Sequence, residues 1–130
     1  MGDLMIDDYA QAMDLLQKMT DQLPIPVRLD RAVIRMLRGK GLTATLSQEF
    51  EIKRVFYFGD EGGIMCDVTP TRDAREAVVV SLTHLLVPAQ HSLAQEIRAY
   101  QRERVRRIAR SGGSAKPSSF TVRPRKKRRR

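Results

Sequence analysis

The stretch Phe50-Glu51-Ile52-Lys53-Arg54-Val55-Phe56-Tyr57-Phe58-Gly59-Asp60-Glu61-Gly62-Gly63-Ile64-Met65-Cys66-Asp67-Val68 decides the fold. From 49 to 58 the residues alternate. Phe50, Ile52, Phe56 and Phe58 fall on one side and Glu51, Lys53 and Tyr57 on the other, the period of a half-buried strand. Only Arg54 interrupts the apolar row. Gly59-Asp60-Glu61-Gly62-Gly63 supplies the glycines that a tight turn needs for positive φ. The return strand, 64–68, places Ile64, Cys66 and Val68 inward.

A hairpin alone is marginally stable and calls for a third strand. The β-branched run Val78-Val79-Val80 within 77–87 supplies it, although Ala74, Ala77, Val78, Leu82, Leu85 and Leu86 also describe a fair helical face. Thr69-Pro70-Thr71-Arg72-Asp73 connects the second and third strands, and Val87-Pro88 closes the third.

Helices flank this meander. Met5, Tyr9, Met13, Leu16, Met19 and Leu23 mark the inner face of an amphipathic helix over 4–23, capped by Asp3 and stopped by Pro24 and Pro26. A second helix covers 31–38, with Asp30 as N-cap, Leu29 and Ile34 as a hydrophobic staple, and Gly39 and Gly41 at its end. The longest helix covers 93–110. Ser92 and Gln95 suggest a capping box, and Leu93, Ile97, Tyr100 and Ile108, with Val105 nearby, form the inner stripe. The expected architecture is α+β: two N-terminal helices, a three-stranded antiparallel meander, a long C-terminal helix and a disordered basic tail. Residues 1–110 would be one domain, with an acidic helix over 1–24 and the core over 25–110, and 111–130 the tail. That order of elements is shared by many α+β domains and assigns no function.

Charge carries the functional argument. The chain has 130 residues and a net charge of +9. Residues 1–24 carry −4, residues 25–90 carry +1, residues 91–110 carry +4, and residues 111–130 carry +8 with no acid. A positive field concentrated at one end favours a polyanion, nucleic acid first. Arg98, Arg102, Arg106 and Arg110 repeat every four residues on the last helix, a like-charge spacing best tolerated beside an anion. Arg123, Arg125, Lys126, Lys127, Arg128, Arg129 and Arg130 end the chain, and such a run binds phosphate by counterion release. These eleven residues are the expected nucleic-acid contacts, with DNA or RNA left open. Lys53, Arg54 and Tyr57 place basic and aromatic groups on one strand, but the strand lacks the glycines of an RNA-stacking motif, so Tyr57 reads as a packing residue.

Other chemistry has little support. No apolar run reaches the roughly 20 residues of a membrane span. The acidic N-terminus lacks the pattern of a secretory signal, so a cytoplasmic location is expected. Cys66, the single cysteine, reads as a small core hydrophobe. Cys66, His84 and His91 lack paired metal-ligand spacing, and Asp60-Glu61 reads as a turn. No catalytic residue, cofactor or metal is expected. Two alternatives stay open beside a non-enzymatic nucleic-acid-associated protein. One is an adaptor whose N-terminal helix docks a protein partner. The other is a small toxin-like ribonuclease whose groups converge only in three dimensions. Oligomeric state has no signature.

Overall fold

The computed structural model describes residues 6–70, 76–110 and 120–124. The order is α1 (Tyr9–Asp21), β1 (Ile25–Leu29), α2 (Arg31–Gly39), β2 (Phe50–Ile52), β3 (Arg54–Tyr57), β4 (Ile64–Asp67), β5 (Glu76–Ser81), β6 (Leu85–Leu86), α3 (Ala94–Arg110) and β7 (Phe120–Pro124). The class is α+β, as expected, and the meander β3-β4-β5 is present. The strands, however, form two antiparallel sheets, ordered β2-β1-β6 and β3-β4-β5-β7.

The division begins inside the stretch that reads as one strand. At Lys53 the chain leaves the first sheet and joins the second, so the inward set changes from Phe50 and Ile52 to Val55 and Tyr57. This phase shift corrects the expected row: Phe56 is half-buried and Phe58 is 51% exposed. The cause is Arg54. An unbroken alternation would bury its guanidinium, a large desolvation cost. The shift turns it outward, where it reaches Asp67 at 3.1 Å. The third strand divides in the same way. Beyond Ser81 a 3-10 turn, Leu82–His84, carries the chain from β5 to β6 in the first sheet.

The sequence reading misses β1. Ile25, Val27 and Leu29 are fully buried and alternate with half-buried Pro26 and exposed Arg28. Proline argues against a central strand. Here β1 pairs with β2 over 25–27 and with β6 over 28–29, so Pro26 has one paired neighbour. The third correction concerns the tail. Residues 120–124 form β7, antiparallel to β5, with Val78 opposite Val122 and Val80 opposite Phe120. The short β-prone run Phe120-Thr121-Val122 finds the open edge of β5, which outweighs the low apolar content of its surroundings. The disorder expected for 111–119 and 125–130 lies outside the described residues.

The helices close the core. Helix α1 starts at Tyr9 with Asp8 as cap, its side chain accepting the Gln11 N–H at 3.1 Å. It buries Ala12, Leu15 and Met19, and Tyr9 is 57% exposed. The expected face is therefore rotated by about one residue. Alanine contributes little to an apolar pattern, yet Ala12 is fully buried in a helix that packs against β3. Helix α2 follows the expectation: the Asp30 carboxylate accepts the Val33 N–H at 3.0 Å, and Val33, Ile34 and Leu37 are buried. Cys66 is in the core, where burial pushes its thiol well up. Among the described residues, no helix is long and apolar enough to cross a membrane.

Asp67 gives the fold a testable acid dependence. Burial alone would raise its carboxyl, but the Thr69 hydroxyl and N–H and the Arg54 guanidinium hold it below its ordinary value of 3.8. A carboxylate depressed in the native state stabilises the fold above its unfolded value, and that contribution is lost as pH falls through the native one. Asp67→Asn is expected to lower Tm at neutral pH and to approach the parent protein below pH 3.8. Thermal unfolding across pH checks this, and a difference that stays constant to low pH contradicts it.

Candidate nucleic-acid interface

Helix α3 has two faces of different character. Ala94, Ile97 and Tyr100 turn toward the core, and Arg98, Arg102, Arg106 and Arg110 are all exposed. The helix starts later than a capping box at Ser92 requires. The Ser92 hydroxyl donates to Gln22 Oε1 at 3.0 Å, and His91 Nδ1 accepts the Leu93 N–H. The arginine row spans twelve residues, about 18 Å at 1.5 Å per residue. Within it Arg98 donates to the Val87 carbonyl at 3.3 Å, and Arg106 is paired with Glu103. Glu103 also accepts Arg107 Nε at 2.8 Å, the i,i+4 pair visible in the sequence. Arg106 and then Arg107 hold the Glu103 carboxyl below its usual range.

Of the expected C-terminal contacts, Arg123 stands in β7 opposite Ala77. Arg125, Lys126, Lys127, Arg128, Arg129 and Arg130 lie outside the described residues. The structure thus brings the four helix arginines together on one face and places the start of the basic run on the edge of the second sheet.

The sequence reading misses Arg104. It occupies the inner stripe of α3, one turn beyond Tyr100, with its side chain 3% exposed. Its Nη1 donates to Asp7 Oδ1 at 2.9 Å, and Asp7 is 2% exposed. Asp7 Oδ2 accepts the hydroxyls of Tyr57 at 3.0 Å and Tyr100 at 2.9 Å. Arg104 Nη2 donates to the Asp60 carbonyl, and the Tyr100 hydroxyl accepts the Ile64 N–H. Burial, and then the Asp7 charge, push both tyrosine hydroxyls well above their ordinary range. The one local signal is Arg104 itself, a charge at an apolar position of the helical stripe. Its acidic partner is 97 residues away.

This cluster borders a cleft of about 570 Å³ between α1 and α3, lined among others by Asp8, Asp14, Glu96, Glu103 and Arg107. Carboxylates predominate, which disfavours a phosphate chain there. None of the four row arginines lines it. Asp7 already accepts three hydrogen bonds, and both tyrosines hold their protons, so the cluster reads as a tie between elements. Neither histidine lines the cleft. His84 meets Asp30 at 2.7 Å. Among the described residues, no three His, Cys, Asp or Glu side chains converge to hold a metal ion.

No family model, no curated protein and no solved structure matches the chain.

Proposed function

We propose that this chain is a small non-enzymatic nucleic-acid-associated protein, contacting phosphates through the exposed face of α3 and the basic C-terminal run. The observation that carries this reading is the row Arg98, Arg102, Arg106 and Arg110 on one solvent face, outside the acidic cleft. Phosphate contacts of this kind give affinity and orientation with little sequence information. The adaptor alternative draws less support. Helix α1 turns Ala12, Leu15 and Met19 into the core, and Tyr9 packs edge-on against Tyr57 at 6.0 Å.

The test replaces the four arginines together by glutamine. All four are exposed, so the fold is expected to persist. Affinity for duplex and single-stranded oligonucleotides, followed by fluorescence anisotropy at low salt, should fall by about tenfold or more. The salt slope should become shallower by roughly 0.7–0.9 for each phosphate that is no longer neutralised. An unchanged affinity and slope would remove α3 from the interface.

A further inference from the structure

Helix α2 repeats the charge pattern of α3. Val33, Ile34 and Leu37 are buried, and Arg31, Arg35 and Arg38 are exposed. Residues 28–48 hold five basic residues, Arg28, Arg31, Arg35, Arg38 and Lys40, against the single acid Asp30, a net +4. Asp30 is already engaged by the Val33 N–H at 3.0 Å and by His84 at 2.7 Å. Arg38 donates to the Ala44 carbonyl at 2.9 Å. Among the described residues, no carboxylate lies within ion-pair distance of Arg28, Arg31 or Arg35. Arg31 stands in the first turn of α2, at the positive end of the helix dipole, and Arg35 follows it at the repulsive i,i+4 spacing. An anion against that face relieves both costs.

The path from α3 to α2 is short. Arg98, the first of the α3 row, donates to the Val87 carbonyl at 3.3 Å, so its guanidinium reaches the end of β6. Val87 follows Leu86, which pairs with Arg28 across β6 and β1. Cross-strand partners share a face of the sheet, and here both are exposed, Leu86 by 53%. The Arg98 guanidinium is therefore at most about 15 Å from the Arg28 Cα. Arg31 comes three residues later, at most about 11 Å on, and Arg35 about 6 Å further along α2. Residues 28–40 and 85–88, which form this path, contain no acid besides Asp30. Glu51 faces Pro26 on the other flank of β1.

We infer that the phosphate-binding surface continues from α3 across the β1–β6 pair onto α2, with Arg28, Arg31 and Arg35 as further contacts. The fitting occupant is a nucleic-acid backbone, because guanidinium groups without carboxylate partners, set along a path much longer than one small anion, neutralise successive phosphates. This rests on the nucleic-acid reading above and adds the length of the ligand. The α3 row, which remains the anchor, spans about 18 Å, or about five base pairs at about 3.4 Å each, and the whole path reaches at most about 50 Å.

The test uses the full chain and the triple variant Arg28→Gln, Arg31→Gln and Arg35→Gln. The probes are hairpin duplexes with stems of about 6 and about 16 base pairs, and single strands of the same lengths. The variant should bind the long probe about tenfold more weakly and the short probe within about twofold of the parent chain. Its salt slope on the long probe should be shallower by about 2. All three side chains are exposed, and matching Tm values confirm that the fold persists. If the triple variant unfolds, Arg31→Gln with Arg35→Gln, confined to the outer face of α2, carries the same comparison. Unchanged affinity and slope on the long probe, with the parent chain binding, overturns the extension and leaves the nucleic-acid reading standing. Equal weakening of the long and short probes also overturns it. Loss of binding to phosphatidylglycerol vesicles with oligonucleotide affinity unchanged assigns the three arginines to a membrane surface and overturns the extension. No binding of any oligonucleotide by the parent chain at low salt overturns both readings.

Discussion

Asp7→Ala is expected to destabilise the protein by about 3–5 kcal/mol, because it leaves a buried guanidinium without its counter-charge. Arg104 would keep the Asp60 carbonyl and lose its carboxylate, and the hydroxyls of Tyr57 and Tyr100 would lose their common acceptor. Small domains have total stabilities of about 5–15 kcal/mol, so the loss should be conspicuous in urea unfolding. The same ties hold the start of α1 and the hairpin turn against α3, so amide exchange should accelerate at all three. The variant Asp7→Leu with Arg104→Met should recover much of the loss, since apolar side chains of similar size often replace a buried pair at little cost. A single-substitution loss below about 1 kcal/mol, the range of exposed pairs, would mean that the pair is solvated.

Gly63→Ala is expected to cost about 2–5 kcal/mol, from a left-handed backbone and a steric clash together. Gly63 has φ +65, a conformation side chains disfavour. A Cβ there would lie 2.2 Å from the Tyr100 hydroxyl oxygen, 2.9 Å from Asp7 Oδ2 and 3.0 Å from Arg104 Nη1. The added methyl therefore strikes the centre of the polar cluster. The comparison is Gly59→Ala, at φ +65 with no atom within 4 Å of the new Cβ. It bears the backbone cost alone, about 1–2 kcal/mol. Equal Tm losses in the two variants would show that the cluster yields to the methyl group.

Local signals were legible wherever they sufficed. The hairpin followed from its alternation and glycine turn, α2 from Asp30 and its apolar face, and α3 from its apolar stripe, of which Ile97 and Tyr100 face the core. The break at Lys53 was legible in part: Arg54 in an apolar row was the mark of a change of phase. Strand β1 was obscured by Pro26, which is tolerated because β6 does not extend to that position. Strand β7 was hidden by the composition around it, since its pairing depends on an edge of β5 far earlier in the chain. The Asp7–Arg104 pair had no local signature beyond a misplaced charge. Long-range polar pairing is decided by three-dimensional closure, which a periodicity does not encode.

The measurement that bears most directly on nucleic-acid binding is the salt dependence of oligonucleotide affinity. It compares the full chain with a variant in which Arg125, Lys126, Lys127, Arg128, Arg129 and Arg130 become glutamine. That variant keeps β7, whose removal would open the edge of β5. The expected result is a steep negative slope for the parent chain and a shallower slope for the variant. The variant should retain binding that substitution of Arg98, Arg102, Arg106 and Arg110 then abolishes. No measurable affinity of the parent chain at low salt, or a residual affinity indifferent to those four arginines, would contradict a phosphate-binding face on α3.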